Sequence, residues 1–496
     1  MSNLPSYLTA TKPVPWANRA AWYKTITPTY AGIMLWFVFW QGLGKGFDSP
    51  GGTLSAGIGP AFLGLILAAV ICHFFFYMTP AMLGMRTGLP LYMVGTSTYG
   101  ARGGLFMPGF LMGLLQFGWL SVNAFFVAKI LCGCFHLDGK VPGIHHGIIA
   151  TAFVVVAAFV GLKGIQYVAR VATYLPLIPI VVLIVLLAAT WSGLGGFSVE
   201  KVVAGTSPAR IEYWEMNPDA AADMSPWTRP LTRWQVVGVL VTYIVGFFAT
   251  AGAAGADIAM SSRNEDDVHI GGLTGIVLPT VLAGEATLLI LAGAYGAENL
   301  IRPENLGNLN PVDLMPDILG AKWANIAMIG LAISSFPGAC FSAFIAANSF
   351  KTTMPKVNPF VSVGIGALVS VLLAVSGWAG NAAKVFEIIG ASFGPVCGAM
   401  LADFLLSNRK WSGPRAGFNP AGWISWIVGF AVGAFNLVVD LLRNCEWGNK
   451  TFPHLADWWN YVPVPPVSAM VVGFVLYLAL SLVGARTRTL EMPETA

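Results

Sequence analysis

Gln116, Trp119 and Asn123 stand at i, i+3 and i+7 in an otherwise apolar stretch, so a helix would carry all three on one face. A Gln amide donates and accepts in one plane, as the edge of a heterocyclic amide requires. An indole beside it offers a flat stacking surface. Together they suit a planar, polar ring; the plainer use is two amides bonding a neighbouring helix while Trp119 packs. Glu285 lies inside a second apolar run, between Leu282-Ala-Gly and Ala-Thr-Leu-Leu289. An acid inside a membrane is a functional candidate by default. Here it serves either proton coupling or a hydrogen bond that holds its helix to the bundle. In a third run, Ser334-Ser335-Phe336-Pro337-Gly338 sets adjacent hydroxyls beside a Pro-Gly break. Such oxygens suit a bare Na+, a hard ion, although serines more often bond back to their own helix.

The elements that must position these groups follow from composition. Of 496 residues, 56% are hydrophobic and 10% charged, against roughly 25% charged in a soluble domain. A soluble surface could not be covered with so few polar groups, which excludes a cytosolic enzyme, a nucleic-acid binder and a disordered chain. The net charge of +4 supplies no basic field for nucleic acid, and the six cysteines are scattered apolar filler. Apolar runs of about 20 residues, enough to cross a bilayer, lie at about 25–44, 59–80, 103–128, 143–162, 171–193, 234–256, 271–297, 323–348, 358–378, 385–406, 420–439 and 464–485. We number them spans 1 to 12. They are continuous rather than alternating, so they are helices and not barrel strands. With both termini cytoplasmic, the inner side holds most of the 27 basic residues, among them Arg86, Arg102, Lys351, Lys356, Arg409, Lys410 and Arg488. Residues 1–24 are polar and Pro-rich, without a positive-then-apolar leader, and are expected to be a cytoplasmic tail.

Spans 1 and 6 are interrupted by glycine, through Gly32 to Gly44 and Gly246 to Gly255. They stand first and sixth, on either side of the hydrophilic segment 194–233. Paired glycine-interrupted spans at corresponding positions point to a transporter's central site; close helix packing is the competing use of the same glycines. No P-loop of the Gly-x-x-x-x-Gly-Lys-Ser/Thr type, zinc motif or Ser-His pair is present. A membrane-embedded enzyme would have to rely on Glu285 and His73, and a channel would show a filter or a ring of acids. Asp257 and Asp403, ending spans 6 and 10 near Arg263 and Arg409, read as interfacial caps or ion pairs. Glu265-Asp266-Asp267 reads as a solvated loop.

Several pieces are those of a known family: Arg86-Thr-Gly-Leu89, Gln116-Phe-Gly-Trp119, Gly246-Phe-Phe248 through Ala256-Asp257 with Arg263-Asn264, and Gly394-Pro395 with Ala402-Asp403-Phe404 and Asn408-Arg409. In this order the chain resembles the nucleobase:cation symporter-1 family, and within it the bacterial cytosine permease branch. The resemblance implies an all-α membrane protein of twelve helices in the leucine-transporter fold. Residues 25–193 and 234–407 would be inverted five-helix repeats, 194–233 an extracellular connection, 408–485 helices 11 and 12, and 486–496 a cytoplasmic tail. It implies inward transport of a nucleobase or vitamin-like heterocycle by Na+ or H+ symport in the cell membrane, with no cofactor. Trp119 would stack on the substrate, Phe248 would cover its other face and Gln116 would read its edge. Phe247, Thr250 and Asn123 would flank it. Gly32 and Trp36 would turn backbone carbonyls to the cation, with Ser334 and Ser335 as its hydroxyl pair. Helix 8 departs from the pattern: it has no Asn before Asn348, so the resemblance allows purines, other pyrimidines or vitamin-like rings as well as cytosine.

Overall fold

The computed structural model describes residues 4–46, 49–163, 174–206, 229–452 and 462–492. Most of the hydrophilic connection, with Trp214, Trp227 and their acidic neighbours, lies outside the described residues, as do Arg170 and the first residues of span 5. Among the described residues the only β contacts are isolated bridges, Ala20 with Ser262 and Arg415 with Thr489. Among the described residues, nine helices are long and apolar enough to cross a membrane. They are span 2 (Ile58–Thr87), span 3 (Leu105–Cys134), span 4 (Ile144–Lys163), span 5 (Leu177–Gly196), span 6 (Arg233–Ala253), span 7 (Glu265–Gly296), span 8 (Ala321–Thr353), span 10 (Ala382–Leu406) and span 12 (Pro465–Leu482). Span 11 is a pair, Pro420–Gly433 and Phe435–Arg443, bent by 44°, and span 9 is the shorter apolar helix Pro359–Val375. Span 1 is two short helices, 1a (Ile26–Met34) and 1b (Phe37–Leu43). Every apolar run of the sequence therefore has its helix.

Burial separates the centre from the rim. In spans 6 and 10, 89% and 83% of the most apolar stretch is enclosed by protein, against 33% in spans 4 and 5. Lipid is as apolar as a leucine side chain, so helices here associate through close packing and interhelical hydrogen bonds. Span 5 meets span 7 in this way at its C-terminal end: a Cβ on Gly293 would stand 2.2 Å from the Thr190 carbonyl oxygen, and one on Gly193 2.0 Å from that of Gly293.

At one end of the bundle the amino-terminal segment runs across two connections, that between spans 2 and 3 and that between spans 6 and 7. Val14 N bonds the Gly88 carbonyl at 2.9 Å, the Arg19 guanidinium donates to the Met85 and Ser262 carbonyls at 2.7 and 3.3 Å, and Tyr7 Oη donates to the Ala101 carbonyl. Asp257 caps the turn after span 2, accepting from Leu91 N at 3.1 Å. Asp403 pairs not with Arg409 but with buried Arg415, at 3.6 Å, and accepts from Tyr477 Oη at 2.7 Å. The acidic loop is less solvated than its composition suggests. Asp267 is buried, bonded to Arg263 at 2.8 Å and to Trp22 N at 3.3 Å, while Glu265 pairs with Arg86 at 2.7 Å. The first turn of span 7 draws these acids to its positive end.

In the connection between spans 7 and 8, Asp317 is a stability switch. Burial pushes its carboxyl up, but hydrogen bonds from Asn305 (2.7 Å) and Arg302, together with the Arg302 charge, outweigh this and leave it below the usual carboxylate range. A carboxyl depressed in the folded state contributes stability that is complete above its unfolded pKa and is lost as pH falls through the folded value. Asp317→Asn should therefore melt below the wild type at pH 7, and the two melting temperatures should converge below about pH 3. Thermal unfolding in detergent between pH 7 and 3 measures this; a gap that persists into acid would contradict the assignment.

Candidate functional site

The site begins where span 1 stops being a helix. Leu35 keeps helical angles, but Trp36 is extended (φ −64°, ψ 129°) before 1b starts at Phe37. Trp36 N turns to the Ile33 carbonyl at 3.3 Å, so the Gly32 carbonyl loses its helical donor. The amide hydrogens that open 1b likewise have no turn before them. Unwound backbone survives in hydrocarbon only where protein supplies partners or a cavity lies beside it. Partners are supplied here: Trp40 Nε1 donates to the Leu35 carbonyl at 3.1 Å, and Tyr243 Oη on span 6 donates to the Val38 carbonyl at 3.2 Å.

Span 6 behaves differently from its glycine pattern. It stays helical through Gly246, Phe247, Phe248 and Thr250, and is interrupted only at Ala254, before the short helix Gly255–Ala259. The glycine serves packing: a Cβ on Gly246 would lie 2.7 Å from the Phe386 carbonyl oxygen of span 10. The interruption is tied to span 1 by Tyr30, whose hydroxyl donates to the Ala251 carbonyl at 2.9 Å.

Aromatic rings converge beside the break. Trp119 of span 3 lies 5.8 Å from Trp36, 4.9 Å from Phe247 and 5.3 Å from Phe386, ring centre to ring centre. Its indole N–H donates to Thr250 Oγ1 at 3.0 Å, which fixes the ring on span 6. The structure thus brings Trp119, Phe247 and Thr250 together. Phe248 points elsewhere: it is buried, and its ring partner is Tyr30 at 5.7 Å, on the side of 1a. Consecutive helical residues lie about 100° apart, so only one of the two phenylalanines can face Trp119, and it is Phe247. Trp36 belongs to the same cluster through its ring.

The polar groups are few and under-used. Gln116 Nε2 meets only the Met112 sulfur, at 3.5 Å, a weak acceptor. Asn123 Nδ2 donates to the Ser335 carbonyl at 3.1 Å, joining spans 3 and 8, while its Oδ1 is buried without a partner. The indole N–H of Trp36 is also unpaired. Gln41, on 1b, is a residue that the sequence reading passed over: 2% exposed, with both amide atoms unpartnered. A lone Gln in the run Phe37–Leu43 was the available signal. A buried unpaired amide costs about 1–3 kcal/mol, so such groups ask for a ligand or ordered water.

The cation residues are less gathered. Ser334 and Ser335 each donate to their own helix, to the Leu331 and Ala332 carbonyls, both at 2.8 Å. A hydroxyl that donates keeps its lone pairs, so both oxygens remain able to accept a cation. A Cβ on Gly32 would meet Pro176 at 3.5 Å, and one on Gly330, a turn before Ser334, would meet Ile178 at 3.0 Å, so the start of span 5 lies against both helices. Glu285 shares an outward row of span 7 with Leu278 and Leu282, which are more than half exposed. Among the described residues it has no hydrogen bond and no ion pair, so it does not hold span 7 to the bundle.

A family model described as amino acid permease matches residues 37–356. The chain belongs to this family. It is therefore a permease, a multi-pass membrane transporter rather than an enzyme. No curated protein matches it. Among solved structures it is similar to Mhp1, a nucleobase-cation-symport-1 family transporter, in a closed conformation with bromovinylhydantoin bound: 14% identity, TM-score 0.62, covering 95% of each chain. The inward-facing conformation of Mhp1 matches at 14% identity and TM-score 0.61, over 96% of this chain and 95% of that one. A Na+-coupled sialic acid symporter, in a substrate-bound outward-open state, matches at 12% identity and TM-score 0.54, over 96% and 92%. At these identities the likeness establishes the fold of the permease, the leucine-transporter fold.

Because Glu285 has no hydrogen bond or ion pair among the described residues, Glu285→Gln should leave the melting temperature of the permease close to that of the wild type, within about 0.5 kcal/mol. Thr250→Val should lower it by about 1 kcal/mol through loss of the Trp119 bond. Thermal unfolding of both variants checks the pair; a large loss in Glu285→Gln would show that the carboxyl has a bonded partner.

Proposed function

We propose that this permease is a secondary active transporter that carries a small, uncharged planar heterocycle, a nucleobase or a vitamin-like or hydantoin-like ring, inward together with Na+ or H+. The observation that carries this reading is the aromatic cluster at the break of span 1. Trp36, Trp119 and Phe247 offer ring faces, Gln41 and Gln116 offer amides with unused bonding capacity, and none of these side chains is ionised. A heterocyclic amide needs stacking and complementary hydrogen bonds, and this set supplies both. The resemblance to cytosine permeases and the likeness to Mhp1, described with a hydantoin bound, support the same class. We assign Trp119 to stacking, Gln116 and Gln41 to the ring edge, and Thr250 to positioning Trp119. Phe248 supports the cluster from the side of 1a, and Asn123 closes it toward span 8.

Access alternates as the repeats at 25–193 and 234–407 move against one another around this site, in the cell membrane with both termini cytoplasmic. The coupling cation would take oxygens from Ser334 and Ser335 and, as spans 1 and 8 approach, from the Gly32 and Trp36 backbone. Similarity in fold to a Na+-coupled symporter supports Na+; Glu285 is the one intramembrane acid of span 7 and the candidate for H+. The family's own description favours a second reading, an amino acid. The open amino end of 1b would suit a carboxylate, but the cluster offers no acid for the ammonium group, and Glu387 follows Phe386 about 100° round span 10.

Thermal unfolding of the purified permease with cytosine, uracil, hydantoin, purines and amino acids decides between these readings, since a bound ligand raises the melting temperature by mass action. A heterocycle is expected to stabilise the wild type and to lose its effect in Trp119→Ala. Stabilisation by an amino acid alone would sink the heterocycle reading. Uptake of the winning compound into proteoliposomes, with Na+ or pH gradients, then names the ion. If Glu285 couples protons, Glu285→Gln changes the pH profile of uptake; an unchanged profile removes it.

A further inference from the structure

The ring at the centre of the cluster is Phe247. It is fully buried and touches four others: Phe39 at 4.8 Å, Trp119 at 4.9 Å, Phe386 at 5.1 Å and Trp36 at 6.2 Å. Two aromatic faces that hold a flat molecule between them must stand about 7 Å apart, twice the contact distance between carbons. None of the pairs around Trp119 reaches that. Trp36 and Phe247 come nearest to parallel, at 28° and 6.2 Å, and Trp36 and Trp119 are 5.8 Å apart at 49°. The three rings thus form a closed triangle of 5.8, 6.2 and 4.9 Å, in which the Phe247 phenyl packs beside both tryptophans and leaves no slot for a flat molecule between any two of them. That phenyl has little freedom to leave, because Phe39 and Phe386 flank it and Gly246 seats the preceding backbone directly on span 10. Trp36 is the looser partner: it is only partly buried, lies at the unwound point of span 1 and has a free indole N–H.

A substrate on the face of Trp119 therefore shares the cluster with Phe247 and makes room by displacing Trp36. One five- or six-membered ring needs a small displacement. A fused second ring needs the volume that the phenyl holds. We propose that Phe247 is the specificity-determining residue of the site, admitting single-ring heterocycles and excluding fused bicyclic ones. This rests on the reading that a planar heterocycle stacks on Trp119, and it narrows the substrate class to pyrimidine-sized and five-membered lactam rings.

The test measures binding by thermal shift and calorimetry on full-length protein in detergent. Uracil, cytosine and hydantoin stand for one ring, and xanthine, adenine and guanine for two. The wild type is expected to bind at least one single-ring compound about 30-fold or more tighter than any bicyclic one. Phe247→Ala should gain bicyclic affinity by about 10-fold or more and lose single-ring affinity, so that the preference narrows or reverses. Phe247→Leu, which keeps most of the volume, should keep the wild-type preference and serves if the alanine variant does not fold. Equal binding of both sizes by the wild type, or an unchanged preference in a folded Phe247→Ala, overturns the proposal. Failure of the underlying reading looks different: no heterocycle of either size stabilises the wild type, and this assignment falls with it.

Discussion

A carbonyl set free inside hydrocarbon is the constraint around which this permease is arranged. Opening span 1 at Trp36 strands backbone groups that lipid cannot satisfy. The chain answers with aromatic side chains that also carry a polar atom. Trp40 and Tyr243 take the Leu35 and Val38 carbonyls, and Tyr30 reaches from 1a to Ala251, just before the interruption of span 6. Each residue needed to hold the break thus brings a ring to it. The aromatic richness of the site is in part the consequence of having a break at all. Backbone capping here uses indole and phenol donors, while among the described residues the Gln41 amide has no partner and the Gln116 Nε2 meets a sulfur.

The connections at the end of the bundle that carries the amino-terminal segment are held by two kinds of contact. One is a network around Asp403, where Arg415, Tyr477, Asn419 and Thr98 draw spans 10, 11 and 12 onto the turn between spans 2 and 3. The pair at its centre is buried, so removing one partner would strand a charge. The other is a set of bonds from the amino-terminal segment to backbone carbonyls: the Val14 and Ala20 amides to Gly88 and Ser261, the Tyr7 hydroxyl to Ala101, and the Arg19 guanidinium to Met85 and Ser262. The first set is centred on a buried ion pair, whereas the second relies on carbonyl acceptors, one of its donors being charged.

The number and placement of the spans were legible because each needs about 20 apolar residues, a signal that survives without any tertiary information. The site was legible only in part. Gln116, Trp119 and Asn123 share a face whatever their neighbours do, so their periodicity was informative. Phe247 and Phe248 are both aromatic and adjacent; which one meets Trp119 depends on how span 6 is rotated, and rotation is set by Gly246 seated on span 10. Glycine itself was ambiguous: at span 1 the chain opens at Leu35 and Trp36, not at a glycine, and at span 6 the glycines pack. Opening happens where a partner can take the carbonyl: for Leu35 it is Trp40, five residues on, while Tyr243, far along the chain, bonds Val38 in 1b. Gln41 was visible as the one amide of its run, yet its lack of partners is a property of the packed state. Glu285 stood out by type, but its neighbours Leu278 and Leu282 place it on the outer row.

The position of span 5 bears on how a cation could be linked to substrate. Oxygen donors suited to Na+ exist on 1a, at the Gly32 carbonyl, and on span 8, at Ser334 and Ser335, but the start of span 5 packs against both helices. An ion that uses donors from both helices favours whichever arrangement brings them together. It can bias the equilibrium only by the difference in its affinity for the two arrangements. The aromatic cluster of Trp36, Trp119 and Phe247 gathers at the same break. A movement of 1a that aligns Gly32 with span 8 would also move Trp36 relative to Trp119. In the proposed assignment, cation and substrate would then be coupled through one backbone hinge.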